Sequence, residues 1–253
     1  MKLSHIGHTI QEFKIINSTN LYATAQIRLG KGIHGIVYRA DEQLEGRGQR
    51  GKKWLSQAGE SILMSVVLQP TKLASSQHFR LIAAIALGVI DYLKSQHEDG
   101  WKIKWPNDIY WNDRKAGGVL IENTFMAGKW EWSVVGIGLN LNAPSFHPEL
   151  PNPVSLKIIT GEYYEPAIEC EKLCGFLEKR WQQLNRSMAW KNMLEEYNDL
   201  LYARNSYQRF RKENMVAELL VNHVTAEGQL VCGEAEEYLF DFGEVEWIMP
   251  DGR

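Results

Sequence analysis

The most informative nine residues of this chain are Gly46-Arg47-Gly48-Gln49-Arg50-Gly51-Lys52-Lys53-Trp54. They combine three glycines, four cations and one indole. Glycine lets backbone amides approach a ligand closely and permits a positive φ, while arginine and lysine bind phosphate or carboxylate oxygens. The flat ring of Trp54 offers a surface on which a base can stack. This composition predicts a mobile, cationic loop that closes over a polyanion such as a nucleotide; the alternative is a solvated basic turn.

The glycines of this loop match neither of two common nucleotide-binding signatures. The segment lacks the final Gly-Lys-Ser/Thr of a P-loop. Its glycines also do not open a helix, as those of a dinucleotide-binding fold do. Neither a P-loop nor a Rossmann site is therefore predicted.

The apolar pattern around the loop predicts an α+β fold with a mixed, mainly antiparallel sheet and flanking helices. Residues 61–68 form a near-continuous apolar run, typical of a strand buried on both faces, while apolar residues recur at helical spacing in residues 77–95. Strands and helices alternate without a regular βαβ rhythm, which disfavours a doubly wound sheet. Strands are predicted at residues 9–16, 35–40, 61–68, 101–105, 109–111, 118–123 and 130–141, and helices at 21–29, 77–95, 168–184 and 190–201.

The sequence pattern changes after about Asn205, where short predicted strands are separated by glycines. Strands are predicted at residues 215–222, 229–232, 237–242 and 245–248, which indicates a small SH3-like β-barrel. A unit of about 50 residues has a marginal core of its own, so we expect it to lean on the rest of the chain. The sequence therefore predicts a main domain at residues 1–204 and a small C-terminal β module at residues 205–253.

Charge is unevenly distributed along the 253 residues. The net charge is −3, yet from Glu213 onward ten acidic residues accompany a single cation, Arg253. The part before Glu213 is therefore net positive, and the acidic part would repel phosphate. This distribution does not indicate general nucleic-acid binding, and it predicts that any polyanion site lies in the first two-thirds of the chain.

Cysteine content and hydropathy favour a cytoplasmic globular protein. Three cysteines cannot all pair, so no disulfide framework is expected. Cys170 and Cys174 share one face of a predicted helix, without further ligands at metal spacing. The longest apolar run, residues 81–90, is too short to cross a bilayer, and the first residues contain no apolar signal core. We therefore expect no membrane partner.

Three further blocks carry residues that are suited to chemistry. A cation and a carboxylate flank a strand end fixed by proline in Lys104-Trp105-Pro106-Asn107-Asp108. A lysine lies at the rim of a predicted core, where its charge acts strongly on a bound anion, in Lys115-Ala116-Gly117-Gly118-Val119-Leu120-Ile121-Glu122. Glycines alternate along a strand and leave a groove in Gly136-Ile137-Gly138-Leu139-Asn140-Leu141-Asn142. Taken singly, each block also fits an ordinary strand, hairpin or close strand packing.

In this order and at this spacing, the four blocks resemble the biotin protein ligase family, whose members form biotinyl-AMP and attach biotin to carboxylase subunits. The resemblance covers about residues 10–250. It implies a class II aminoacyl-tRNA synthetase-like catalytic fold, with biotin and ATP bound by residues 1–204, followed by an SH3-like barrel. Lipoate protein ligases share the fold but are not known for the glycine-arginine run.

The resemblance also implies roles for individual residues. Ser18, Thr19 and Asn20 match a segment that hydrogen-bonds the ureido ring of biotin, and Gln49 stands where many members carry a second arginine. The residues expected to bind biotin or the nucleotide are Ser18, Thr19, Asn20, Gln43, Gly46, Arg47, Arg50, Lys52, Trp54, Asn107, Lys115, Gly117, Gly138 and Asn140.

The implied chemistry has two steps, with Lys115, Arg47 and Asp108 as the expected catalytic residues. The carboxylate of biotin attacks the α-phosphorus of Mg-ATP while Arg47 and Lys115 neutralise the two anions. The closed loop then shields biotinyl-AMP from water, until a lysine of a biotin carboxyl carrier protein domain displaces AMP. Asp108 is the candidate for taking the proton of that lysine. The sequence assigns no metal ligands.

Two other functions stay open at this point. A lipoate or octanoyl ligase or transferase of the same fold would have a different loop, and an apolar groove in place of Ser18-Thr19-Asn20. A non-enzymatic module that binds biotin or a nucleotide would not need Lys115 at a reacting centre.

The start of the pattern bears on nucleic-acid binding. Some members of the family repress transcription through an N-terminal winged helix. Here the pattern begins by Asn17, so we expect a form without that DNA-binding domain and no nucleic-acid partner. The sequence does not distinguish a monomer from a homodimer.

Overall fold

The computed structural model describes residues 5–126, 128–184, 186 and 189–249. The outermost parts of the two predicted domains, residues 1–4 and 250–253, lie outside these ranges. The described chain folds around a large sheet and a smaller one, with helices on the large sheet.

The larger sheet has seven strands. They are β1 (Ile10–Ile16), β2 (Val37–Gln43), β3 (Ser61–Leu68), β4 (Trp101–Lys104), β5 (Asp108–Trp111), β6 (Arg114–Met126) and β7 (Lys129–Asn140). Their order in the sheet is β1-β2-β3-β7-β6-β5-β4. The pair β1–β2 is parallel and every other neighbouring pair is antiparallel. The predicted mixed, mainly antiparallel sheet is confirmed.

Helices cover both faces of this sheet. They are α1 (Thr19–Arg28), α2 (His78–Gln96), α3 (Leu156–Thr160), α4 (Pro166–Leu184) and α5 (Ala189–Asp199). Val66 and Val67 of β3 point to opposite faces because side chains alternate along a strand. Val66 shares a core cluster with residues of α2 and α4, whereas Val67 packs in a second cluster with Ala23 of α1. This two-sided cover explains why all eight residues of β3 are buried.

Helix α1 begins at the edge of what becomes the functional site. The Ser18 hydroxyl accepts a hydrogen bond from the Leu21 N–H at 3.5 Å and caps the helix. The cap places Thr19 and Asn20 in the first turn, where both side chains are buried against the sheet. The predicted helix cap in this polar segment is confirmed.

The second sheet has five antiparallel strands. They are β8 (Tyr207–Lys212), β9 (Met215–Val224), β10 (Leu230–Cys232), β11 (Tyr238–Phe240) and β12 (Glu246–Ile248), in the order β11-β10-β9-β8-β12. A small C-terminal β unit was expected and is found. The division between residues 204 and 205 stays a prediction; the first strand of this sheet begins at Tyr207.

Hydrogen bonds that are buried or partly buried join the second sheet to the rest of the chain. The Trp105 indole N–H donates to the Gly228 carbonyl at 2.8 Å. The Asn198 side chain donates to the Val224 carbonyl and accepts from its N–H, at 3.0 and 2.7 Å. The Trp105–Pro106 peptide bond that begins this junction is cis. Trp105 therefore packs in the core and also connects the larger sheet to the C-terminal part of the chain.

One α-helix and one strand of the described chain were not predicted from the sequence. Helix α3 has only five residues, too few to give a periodic pattern. Strand β8 buries a single residue, Phe210, among polar and charged neighbours, so its alternation is weak. Among the described residues, no helix combines the length and the apolarity that a membrane crossing requires.

Candidate active site

A cavity of about 550 Å³ lies between the larger sheet, the glycine loop (residues 46–54) and the second sheet. Most of the predicted site residues line it, although they come from distant parts of the chain. Those that line it are Ser18, Thr19, Asn20, Gln43, Arg47, Arg50, Lys52, Trp54, Asn107, Asp108, Lys115, Gly138 and Asn140. Gly46 and Gly117 were expected to bind ligand but do not line the cavity.

Gly46 and Gly117 are needed where two backbone segments approach each other. A Cβ atom on Gly46 would lie 2.5 Å from the carbonyl oxygen of Trp54, and the Trp54 N–H donates to the Gly46 carbonyl at 2.9 Å. A Cβ atom on Gly117 would lie 2.8 Å from the Gly138 carbonyl oxygen. Both glycines therefore shape the walls of the site without facing its interior.

The groove left by the alternating glycines of β7 is filled by two of the protein's own side chains. A Cβ atom on Gly138 would lie 2.6 Å from Cε2 of Trp54, so the indole packs directly on this backbone. Gly136 is covered in the same way by the side chain of Asn20. The indole nitrogen of Trp54 is buried and has no hydrogen-bond partner among the described residues.

An amide cluster, formed by Thr19, Asn20, Gln43 and Ser65, builds one part of the cavity. Gln43 Oε1 accepts from the Thr19 N–H at 2.8 Å and from the Thr19 hydroxyl at 3.1 Å. These two donors fix the orientation of the Gln43 amide, because only its oxygen can accept. The group that Gln43 can offer to a ligand is therefore its NH₂.

Ser65 supports the amide cluster from inside the sheet. Its hydroxyl lies 2.7 Å from Thr19 Oγ1 and 2.5 Å from Asn20 Oδ1, and the residue is fully buried. A serine hydroxyl has a single proton to donate. Because the Thr19 hydroxyl already donates to Gln43, Thr19 and Asn20 compete for the Ser65 proton. A ligand that donates a hydrogen bond to one of these two oxygens leaves the Ser65 proton free to bond to the other.

Glu122 connects the amide cluster to the glycine loop. Its Oε2 accepts from Asn20 Nδ2 at 2.8 Å, and its Oε1 pairs with the Arg47 guanidinium at 3.1 Å. Arg47 and Glu122 are partly exposed, with 46% and 33% of their side chains accessible to solvent. Arg47 is thus tied to β6 by a bond that solvent can reach.

A lysine cluster, formed by Lys104, Asp108 and Lys115, builds a second part of the cavity. Lys115 Nζ pairs with Asp108 Oδ1 at 2.7 Å. Lys104 is the partner of Asp108 in the β4–β5 ladder, and its ammonium lies 5.4 Å from the Tyr110 ring and 5.5 Å from the Trp247 ring. Two ammonium groups therefore stand beside one carboxylate.

Burial and nearby positive charges lower the pKa of Lys104. Burial is the main cause, and the positive charges of Lys115 and Lys52 act in the same direction. The carboxylates of Asp108 and Glu246 oppose them only in part. Together these effects lower the pKa of Lys104 from 10.5 to about 8. An anion that enters the cavity would relieve the repulsion and restore the charge.

Asn107 and Asn140 hold the backbone around the lysine cluster. The Asn107 side chain is buried and donates to the Val119 carbonyl. The Asn140 side chain, also buried, donates to the Val154 carbonyl at 3.0 Å. The Lys115 N–H and carbonyl bond in turn to the segment around Asn152 and Val154. Both asparagines therefore fix the strand ends that carry Asp108 and Lys115.

The glycine loop touches the second sheet through Arg50. This arginine adopts a left-handed conformation, with φ of 55°. Its guanidinium donates to the Gly243 carbonyl and lies 5.9 Å from the centre of the Phe242 ring. Phe242 also meets the Trp105 ring at 6.2 Å. The loop is thus fastened across the cavity mouth to the C-terminal part of the chain.

Several residues of the site were not predicted. Ser65 could have been found, since it is a polar residue within the apolar strand of residues 61–68. Lys104 and Glu122 lie within the motifs at residues 104–108 and 115–122, but the motifs predict no ligand contact for them. Residues of the second sheet also line the cavity, among them Arg211, Phe242, Glu246 and Trp247. Their short strands carry no motif that would have indicated a role.

Comparison with known proteins places the site in a family. The sequence profile described as the biotin/lipoate A/B protein ligase family matches residues 12–140, about half of the chain. The chain belongs to this family. The matched segment holds the amide cluster, the glycine loop and the lysine cluster, while the second sheet lies beyond it.

Within the biotin/lipoate A/B protein ligase family, two relatives illustrate the degree of similarity. The biotin–[acetyl-CoA-carboxylase] ligase of Paracoccus denitrificans is 34% identical over 173 residues, which are 66% of this chain and 70% of that protein. The bifunctional ligase/repressor BirA of Escherichia coli is 31% identical over 137 residues, 53% of this chain and 41% of BirA. The chain spans about half of the length of the BirA proteins that it matches.

The fold agrees with that of a solved biotin protein ligase. The structure of biotin protein ligase from Aquifex aeolicus in complex with biotin and ATP superposes with a TM-score of 0.80 at 23% identity. The match covers 96% of this chain and 100% of the other. The likeness is one of fold, and it extends over both sheets.

Proposed function

We propose that this chain is an ATP-dependent biotin protein ligase that forms biotinyl-5′-AMP and transfers biotin to a lysine of a biotin carboxyl carrier protein domain. The observation that carries the proposal is the cavity itself. It joins a polar amide cluster to a lysine cluster beneath a cationic glycine loop. This combination fits a ligand with a polar ring at one end and a reacting anion at the other.

The amide cluster suits the ureido ring of biotin. A cyclic urea offers one carbonyl acceptor and two N–H donors, and each needs a partner when it is buried. Gln43 has its NH₂ available, because its oxygen accepts from Thr19. The oxygens of Thr19 and Asn20 face Ser65 as acceptors, and each has a further lone pair for a ligand. A long apolar acyl chain would cover the NH₂ of Gln43 without offering it an acceptor, which is costly. The cluster therefore favours biotin over a lipoyl or octanoyl substrate.

In the first step, a carboxylate oxygen of biotin would bond to the α-phosphorus of ATP as pyrophosphate leaves. Two anions must come together, so positive charge has to be held beside them. Lysine has three N–H donors, so Lys115 can keep Asp108 and still bind the carboxylate or the α-phosphate. Arg47 lines the cavity and has five N–H donors, so it can keep its bond to Glu122 and still donate to the same ligand.

Mg²⁺ is expected to accompany ATP and to supply further neutralisation of the phosphate charge. Mg²⁺ is usually bound by one or two carboxylates together with phosphate oxygens and water. Asp108 and Glu246 are carboxylates that line the cavity, so the residues present fit an ion of this kind. Among the described residues, no three or more His, Cys, Asp or Glu side chains group to hold a metal by themselves.

In the second step, the amine of the acceptor lysine would attack the acyl carbon and AMP would leave. The amine must lose a proton, and Asp108 is the carboxylate at hand to take it. Until the acceptor arrives, the mixed anhydride needs protection from water. Arg50, fastened to Gly243, holds the loop over the cavity for that purpose. We propose that this reaction takes place in the cytoplasm, where ATP is supplied.

A transfer assay tests the proposal. The protein is incubated with labelled biotin, Mg-ATP and the apo form of a biotin carboxyl carrier domain, and label on the carrier is measured with pyrophosphate release. We expect label on the carrier lysine, pyrophosphate release only with biotin present, and neither without ATP. A carrier domain whose acceptor lysine is replaced by arginine is the matched control and stays unlabelled.

Two results would contradict the proposal. Efficient transfer of lipoate or octanoate to its own carrier domain, with biotin inert, would indicate a lipoate or octanoyl enzyme of the same family. Saturable biotin binding without pyrophosphate release would indicate a binding module. Each outcome rejects the ligase function in favour of a named alternative.

A further inference from the structure

Glu122 does not line the cavity, but it is hydrogen-bonded to two residues that do, Asn20 and Arg47. It lies on β6, on the same face as Gly118 and Leu120, which do line the cavity. One-third of its side chain is exposed, so the carboxylate is accessible to water and is not buried as part of a core.

The two oxygens of Glu122 serve two different donors. Oε2 accepts from the Asn20 side chain at 2.8 Å, and Oε1 accepts from Arg47 at 3.1 Å. The donors are far apart in sequence: Asn20 lies in the first turn of α1 and Arg47 in the glycine loop. Glu122 is therefore a direct bridge between a ligand-facing amide and the loop.

The bridge also fixes the chemistry of Asn20. An ionised carboxylate accepts hydrogen bonds and cannot donate them, so only the NH₂ of the amide can face it. The oxygen of Asn20 is then directed to Ser65 at 2.5 Å. Asn20 is only 4% exposed, so a reversed amide would leave polar atoms mispaired in a buried site.

We propose that Glu122 is a positioning residue that couples the amide cluster to the glycine loop. Resting on the proposed biotin ligase function, it holds Asn20 in the orientation that receives the biotin ring and holds Arg47 over the same end of the cavity. Occupancy of the ring site and closure of the loop are thereby linked. Loss of Glu122 affects biotin binding and retention of biotinyl-AMP together.

A merely stabilising role would have a different signature. The partly exposed pair with Arg47 contributes little to folding, and the amide oxygen of Glu122→Gln can still accept from Asn20. We therefore expect the melting temperature of Glu122→Gln to stay within about 2 °C of the parent. Loss of Glu122 should instead weaken ligand binding and shorten the time for which the glycine loop stays closed.

The experiment compares Glu122→Ala and Glu122→Gln with Glu131→Gln, a carboxylate of the neighbouring strand β7 that does not line the cavity. Biotin affinity is measured by calorimetry and biotinyl-AMP dissociation by rapid mixing. For Glu122→Ala we expect about tenfold weaker biotin binding and about tenfold faster dissociation of the adenylate, as for the loss of charged hydrogen bonds. The KM for ATP should change by less than about twofold, because the cations of the lysine cluster are unchanged in these variants. Glu131→Gln should match the parent.

A double-mutant cycle isolates the coupling. Arg47→Ala is combined with Glu122→Ala, and biotin affinity and adenylate dissociation are measured again. If Glu122 acts through Arg47, the double variant releases the adenylate no faster than the worse single variant. Independent, multiplying effects would overturn the coupling, as would Glu122 variants that match the parent.

The outcome for this inference can be separated from that for the proposed function. If the parent forms biotinyl-AMP and the Glu122 variants behave like Glu131→Gln, only the role of Glu122 is rejected. If the parent binds biotin but forms no adenylate, the ligase function fails. Biotin affinity in the variants then still tests whether Glu122 positions Asn20.

Discussion

Lys115 Nζ lies 2.7 Å from Asp108 Oδ1, across the ends of the neighbouring strands β6 and β5. Each side chain is 30% exposed, at the wall of the cavity. Gly118 leaves the space for this pair: a Cβ atom there would lie 3.1 Å from the Asp108 oxygen. The pair thus keeps one ammonium fixed where it can meet an anion in the cavity.

Replacing Lys115 with alanine removes that ammonium. We expect Lys115→Ala to slow the formation of biotinyl-AMP by about 100-fold or more, since it deletes a preorganised group beside the reacting anions. Stability should barely change, because the pair is partly exposed. Pyrophosphate release under single-turnover conditions measures the rate, and circular dichroism measures the fold.

Lys129→Ala, at the exposed start of β7, controls for the loss of a lysine as such. It should retain the parent rate. Adenylate formation at the parent rate in Lys115→Ala would remove Lys115 from the reacting centre.

The affinity for ATP should depend on pH through Lys104. Its pKa is lowered to about 8, first by burial and then by Lys115 and Lys52. Below pH 8 Lys104 of the free protein holds its proton, and above pH 8 the charge is lost. Because Lys104 lines the cavity, this charge is available to a bound triphosphate only below pH 8. We therefore expect the KM for ATP to rise by up to about tenfold for each pH unit above 8.

Lys104→Arg separates this charge from other effects of pH, because arginine stays protonated throughout the range. Its KM for ATP should vary little between pH 8 and 9.5. Lys102→Arg, on the same face of β4 but outside the cavity, should keep the pH dependence of the parent. Equal pH profiles in all three proteins would show that Lys104 does not act on ATP.

The same lysine affects the stability of the fold, with a sign that can be worked out. Between pH 8 and 10.5 the unfolded chain binds the proton of Lys104 more tightly than the folded chain does. The contribution of Lys104 to the free energy of unfolding therefore rises with pH across this window. Urea unfolding of the parent and of Lys104→Met at several pH values measures this contribution.

Much of the fold follows from local pattern. The apolar run of β3 and the helical spacing of α2 were visible in the sequence, because tertiary burial selects residue type along each element. Strand β8 was missed, since Phe210 is its only buried residue.

The site was predicted less completely than the fold, for a physical reason. Motifs reveal residues that face a ligand, as Lys115 does, but a partner that acts behind them is defined by contacts between distant segments. Glu122 meets Asn20 across 102 positions and Arg47 across 75. No local spacing encodes such contacts, and none links Arg50 to Gly243 either. The three-dimensional register of the strands creates them.

Arg50 should restrain the glycine loop through its contacts with the second sheet. Arg50→Gly removes the bond to Gly243 and the ring contact with Phe242 while keeping the left-handed backbone free of strain. We expect amide hydrogen exchange in residues 47–54 to quicken about tenfold, as for the loss of a charged hydrogen bond. Mass spectrometry of peptic fragments measures it.

Because glycine itself loosens a chain, the contact between Arg50 and the second sheet also needs a test that leaves the glycine loop unchanged. Phe242→Leu removes the ring under Arg50 and should give part of the same increase in exchange. Tyr238→Leu, which removes an aromatic ring of the second sheet that does not line the cavity, should give none. A loop that exchanges at the parent rate in both Arg50→Gly and Phe242→Leu is not held by the second sheet.

Gly138 should be essential for the position of Trp54. The Cβ atom of Gly138→Ala would lie 2.6 Å from the indole, so the ring has to move out of its place on β7. If this ring supports the adenine of ATP, we expect the KM for ATP to rise about tenfold, the size expected for the loss of a stacking contact. Steady-state kinetics at saturating biotin measure the effect.

Gly175→Ala is the matched control, since a Cβ atom at that position on the exposed side of α4 meets nothing within 4 Å. It should leave the KM for ATP unchanged and raise the free energy of unfolding by roughly 0.5–1 kcal/mol, because alanine is the better helix former. A Gly138→Ala enzyme with an unchanged KM for ATP, despite a shift in tryptophan fluorescence that reports the displaced ring, would exclude Trp54 from nucleotide binding.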